Sequence, residues 1–220
     1  MNENQEIKYY SPVEERLNII SHALGFVLSV IALFLLISHA FLNGSALHIV
    51  SFSMFGISLI ILYSASTLYH RATIPELRNR LRVFDHASIY ILIAGTYTPF
   101  ALITLNGELG WVVFSLSWGI ATIGVILKLF FTGKYKLIST LMYLFMGWMI
   151  VFFINPLMDS LSDDGFIWLA AGGIFYTVGA VLYGIKKIPF NHAIFHLFVL
   201  SGSIAHFISV YYYVLPWQKQ

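Results

Sequence analysis

His192 and His196 are four residues apart, so in a helix their imidazoles project from one face. Two nitrogens so placed can share one metal ion. His70 ends another apolar run, with Ser66 one turn before it on the same face. Three imidazoles and a water make the open type of metal site, whose fourth position stays free for chemistry. Asp85 heads the next apolar run, where a carboxylate could act on that water as general base or orient it. Each residue also has a plainer reading. The histidine pair could bond neighbouring helices, Ser66 could bond back to its own helix, and Asp85 could cap a helix start. The chemical reading gains from their conjunction, because all five fall at one depth.

The elements that must bring them together are set by solvent. Of 220 residues, 59% are hydrophobic, 17% aromatic and only 10% charged, and the mean hydropathy is +0.81. A water-soluble surface needs about 25% charged residues. The apolar runs are unbroken and roughly twenty residues long, which is the signature of helices in a bilayer and not of β-barrel strands. We read seven spans, at 17–41, 47–70, 85–104, 111–131, 137–154, 166–185 and 192–215, giving an all-α, seven-transmembrane helix bundle. Residues 1–16 and 216–220 are read as polar tails. The first run is too long for a signal peptide and is interrupted by Ser21 and His22. Cysteine is absent, which excludes disulfides and thiolate ligands. The formal charge of +2 gives no footprint for nucleic acid.

Lys and Arg orient the bundle. Lys8, Arg16, Arg71, Arg78, Arg80, Arg82, Lys128, Lys134, Lys136, Lys186 and Lys187 share one side, against Lys219 on the other. The N-terminus is therefore expected in the cytoplasm, the C-terminus outside, and the histidine layer near the cytoplasmic face. Glu15, Asn18 and His22 reach the same layer from the first span and are expected to support the metal ligands. His86 points away from Asp85 around the helix, and His206 lies about 15 Å deeper than His196. His39 and His48 flank the outer loop, where water is expected to reach them. The Arg78, Arg80, Arg82 cluster is expected to meet anionic headgroups. Pro99 should loosen the third helix, and Gly172, Gly173 and Gly179 should allow close helix contact.

The opening element with Glu15, Asn18, Ser21, His22 and Gly25 is followed by Ser66-Thr-Leu-Tyr-His70. Next come Asp85-His86, running on to Ala94-Gly-Thr-Tyr-Thr-Pro99, and finally Asn191-His192-Ala-Ile-Phe-His196. In this order on seven helices they resemble the bacterial hemolysin III family, a prokaryotic branch of the progestin and adipoQ receptor (PAQR) family related to the alkaline ceramidases. The resemblance covers the chain from Glu14 to Leu215. It implies zinc on His70, His192 and His196, with Ser66 and Asp85 near the bound water. It also implies a multi-pass protein of the inner (plasma) membrane, with membrane lipids as substrate or ligand. Other divalent transition metals also suit imidazole. Three functions follow for comparison. They are a zinc-dependent lipid amidase or esterase, a zinc-stapled sensor of membrane lipid state, and a cytolytic pore.

The absence of cysteine makes the orientation directly testable. Asn43→Cys should react with a membrane-impermeant maleimide on intact cells, and Arg80→Cys only after permeabilisation. The reverse pattern would invert the bundle.

Overall fold

The computed structural model describes residues 9–132 and 134–215. The ends of the expected tails, with Lys8, Trp217 and Lys219, lie outside the described residues. Seven helical segments are long and apolar enough to cross a membrane, and no strand occurs among the described residues. The chain is an all-α, seven-helix membrane protein. Pro12–Asn43 is α1, Ala46–Arg71 is α2 and Pro75–Pro99 is α3, which runs on as a π-helical turn, Phe100–Leu105. Gly107–Phe131 is α4. Lys136–Trp148 is α5, joined through a 3-10 segment, Met149–Phe153, to α6 at Ile154–Ser160, and together these form the fifth span. Asp163–Gly184 is α7, and Asn191–Ser209 is α8, with a second π turn at Val210–Val214.

Local chemistry sets the helix ends. Ser11 accepts the Glu14 N–H at 3.3 Å and Pro12 follows at the first helical position, so α1 starts at Pro12 and not at residue 17. Pro75 likewise stands at the first helical position of α3, without a side-chain cap before it, ten residues ahead of Asp85. Its first turns carry Glu76, Arg78, Arg80 and Arg82, which hydropathy alone excludes from a span. Asp85 is thus an interior helical residue and caps nothing. Pro99 removes one i−4 hydrogen bond, and α3 widens there into the π turn. The chain then reverses at Asn106 and Gly107, both at positive φ.

Asn155 and Pro156 do not close the fifth helix. They stand in the first turn of α6, where a missing N–H costs nothing. The break comes earlier and has its cause on another helix. The Tyr97 hydroxyl of α3 donates to the Met146 carbonyl at 2.9 Å and accepts the Ile150 N–H at 2.8 Å, with the Gly147 carbonyl 3.1 Å away. It satisfies backbone groups that the 3-10 segment leaves without helical partners.

The third span is the most enclosed and the fifth the most lipid-facing. α1 packs on α2 and α8, α2 on α3, α3 on α4, and α7 on α8. A core of Phe52, Phe55, Leu59, Tyr63, Phe100 and Val210 fills the centre. At Gly172 an added methyl would overlap the His206 ring, whose Nε2 donates to the Leu169 carbonyl at 3.1 Å. This close approach holds α7 to α8.

Gly172→Ala should therefore cost about 1–3 kcal/mol by overpacking, read as a lower unfolding temperature in detergent. Gly119→Ala is the control, since nothing lies within 4 Å of the added methyl, and its unfolding temperature should not fall.

Candidate metal site

Three segments deliver the site. α2 ends at its last turn with Ser66 and His70. α8 begins with His192 and His196 one turn apart. α1 lies alongside both, with Glu15, Asn18, Ser21 and His22 on its inner face. His70, His192 and His196 are all buried, and one ligand atom from each lies within 4.8 Å of the other two. The three histidines could hold a metal ion.

The hydrogen bonds decide which nitrogens face inward. His70 Nδ1 donates to Glu15 Oε2 at 2.7 Å, which leaves Nε2 with its lone pair. The Asn18 carboxamide approaches the same Nδ1 at 3.4 Å. His196 Nδ1 donates to the Asn18 carbonyl at 3.3 Å, with Ser21 Oγ 3.4 Å away, so its Nε2 is also free. His192 Nε2 faces His70 Nε2 at 3.1 Å. Two imidazole nitrogens at that distance need a proton or a cation between them. A tetrahedral ion with metal–nitrogen bonds of about 2.0–2.1 Å sets its ligands roughly 3.3 Å apart. The His70–His192 pair therefore fits such an ion, with a His196 nitrogen within 4.8 Å of both, and Glu15 and Asn18 are the outer partners that fix the His70 and His196 rings.

Glu15 is held from its other side. Its Oε1 pairs with the guanidinium of Arg78, which is buried and not at the headgroups. Arg78 also donates to the carbonyls of Tyr69, His70 and Ala72 at 3.1–3.3 Å. It thereby closes the C-terminus of α2, where cations are favoured. Counting charges by position assigned Arg78 to the surface, and no local pattern marks its burial. Ser21 was equally missed as a partner of His196, although its spacing from Asn18 places both on one face of α1.

The Asp85 carboxyl has Ser66, His70 and Arg78 as polar neighbours. The Ser66 hydroxyl is buried and makes no hydrogen bond of normal geometry. Asp85 lies outside the group of ligand atoms. His22 stacks on His196, with ring centroids 3.5 Å apart and planes at 13°, and meets Tyr63 edge-on at 5.0 Å. It packs against a ligand and makes no hydrogen bond to one. His206 is bonded elsewhere, as described. His39, expected in reach of water, is buried, and its Nε2 donates to the Leu215 carbonyl at 2.6 Å. The folded end of α8 covers it, which a span boundary drawn from hydropathy does not reveal. His48 keeps partial exposure beside Ser45.

The profile described as Haemolysin-III related matches residues 10–207. Hemolysin-3 of Bacillus cereus is 48% identical over 203 residues, which cover 92% of this chain and 93% of that protein. The Hemolysin-3 homolog of Bacillus subtilis (strain 168) is 48% identical over 200 residues, covering 91% and 94%. The monocyte to macrophage differentiation factor of Homo sapiens is 28% identical over 167 residues, covering 73% and 69%.

Removing the outer partner should loosen the metal without removing a ligand. Glu15→Gln is expected to weaken metal affinity about 10–100-fold, measured by competition with a chromogenic chelator. Unchanged affinity would show that Glu15 serves Arg78 alone.

Proposed function

Because the chain belongs to the haemolysin-III-related family and is a multi-pass protein of the plasma membrane, we propose that it is a zinc-dependent hydrolase of a lipid amide or ester at the cytoplasmic leaflet. The observation that carries this reading is the facing pair of His70 and His192 nitrogens, 3.1 Å apart, with the Ser66–Asp85 pair beside them. His70 and His196 would hold the ion through the nitrogens turned inward by Glu15 and Asn18, and His192 through the Nε2 that faces His70. Bound zinc supplies a Lewis acid that polarises a carbonyl and acidifies water.

The remaining work falls to two side chains. Asp85 takes the proton of the attacking water and returns it to the leaving amine or alkoxide, so no proton is consumed in the transfer. Ser66 Oγ donates to the oxygen on which negative charge develops. Its hydroxyl is buried beside the Asp85 carboxyl, at the edge of the histidine group.

A second reading draws on the same geometry. The ligands come from α2 and α8, so a metal would also staple two helices, and the chain would then report lipid state through their packing. The pore implied by the names of the two Bacillus proteins has less support. The mid-depth hydroxyls of Tyr63 and Tyr176 both meet Ser203 at 2.8 Å, which ties α2, α7 and α8 together.

Elemental analysis of detergent-purified protein should find about one zinc per chain, lost in His70→Ala and His192→Ala. Asp85→Ala should keep the zinc and reduce fatty-acid release from a cell lipid extract about a hundredfold or more. Zinc bound with no release from any lipid class would replace the hydrolase by the staple. Absence of zinc would overturn both.

A further inference from the structure

The residues preceding α1 lie over the histidines. The Tyr10 ring is parallel to that of His192, with centroids 4.5 Å apart and planes at 2°, and lies 5.8 Å from His70. Its hydroxyl is hydrogen-bonded to that of Tyr183, whose own ring leans on His192 at 5.1 Å. His192 is thus held between two tyrosines. Glu14 Oε1 accepts the backbone N–H of His192 at 3.3 Å, at a helix start where Phe190 has a left-handed backbone and offers no side-chain cap. Tyr9 lays its ring over the Arg78 guanidinium at 4.6 Å.

These fastenings share a property. They grip the site itself: Tyr10 a ligand ring and Tyr9 the cation that holds Glu15, while Glu14, already within α1, holds the ligand's backbone. Residues 9–11 are outside the helix, and Tyr9 is half exposed. The segment can therefore lift at Ser11–Pro12 at the cost of the Ser11 cap and of the Tyr10 N–H bond to Glu15 Oε1 at 3.2 Å, while Glu15 stays on His70 and the rest of α1 stays helical. A short non-helical segment held by a few side-chain contacts opens far more often than a packed helix.

We propose that residues 9–11 are a latch over the aqueous mouth of the three-histidine site, with Tyr10 as its closing side chain. Closed, it shuts His192 from water and fixes the ring for coordination. Open, it admits water-soluble species, such as a metal ion, to the site. The latch takes its purpose from the metal reading above, but its existence does not need a metal.

The test uses metal-free full-length protein in detergent and diethyl pyrocarbonate, which acylates accessible imidazoles, with each histidine read by peptide mass spectrometry. Tyr10→Ala should speed His192 modification about tenfold or more, because labelling follows the open population. Tyr10→Phe keeps the ring over His192 and should stay within about twofold of the parent chain. His206, packed between α7 and α8, is the internal reference and should not change in either variant. Equal His192 rates in Tyr10→Ala and the parent would overturn the latch. So would a parallel rise at His206, which would mean general loosening. A chain that binds no zinc yet shows the selective rise would lose the hydrolase and keep the latch.

Discussion

The carboxylate of Glu15 stands between an imidazole and a guanidinium, with His70 at one oxygen and Arg78 at the other. In a mostly enclosed site such a group is costly unless both oxygens are matched, and removing one partner of a buried pair typically costs about 3–5 kcal/mol. Three segments must therefore converge on it: the start of α1, the end of α2 and the start of α3. Arg78 carries the effect further by closing the last carbonyls of α2. His70 is thereby fixed in tautomer and direction, and its free nitrogen meets that of His192. The electrostatics of one side chain thus fix where α2 stops, how α3 enters and which atoms point into the site.

Much of this was legible in the sequence. Seven apolar runs give seven helices because a bilayer demands continuous apolar length and internal backbone bonding. The His192–His196 spacing and the Ser66–His70 spacing put their side chains on single faces by helix geometry alone. What was not legible depends on contacts between distant residues. Arg78 looks like its neighbours Arg80 and Arg82 in a charge census, and only the fold buries it. Asp85 looked like a helix start because the charged first turns of α3 have the composition of a loop. The interruption of the fifth span needs a hydroxyl from Tyr97, some fifty residues earlier, and no local pattern in residues 149–153 announces it.

The hydroxyl and imidazole contacts at mid-depth follow a rule different from that of the site. Tyr63, Tyr176, Ser203 and His206 satisfy one another or a backbone carbonyl, so they join helices without exposing a polar group to lipid. Where α2 ends and α8 begins, by contrast, the polar groups face one another, His70 Nε2 against His192 Nε2 and Ser66 against Asp85. The same residue types thus join helices to one another at one depth and gather around a single point at another.

α8 carries both roles along a single stripe. His192, His196, Val199, Ser203 and His206 recur at intervals of four and three residues and all are buried. The upper pair belongs to the histidine site, while Ser203 and His206 seat on α2 and α7. Inserting or deleting one residue between His196 and Ser203 would swing one group about 100° around the axis relative to the other. No rigid rotation of the helix could restore both. The length of this segment is therefore locked to its two ends, so across related sequences it should change residue types freely at its lipid-facing positions and yet hold its residue count constant.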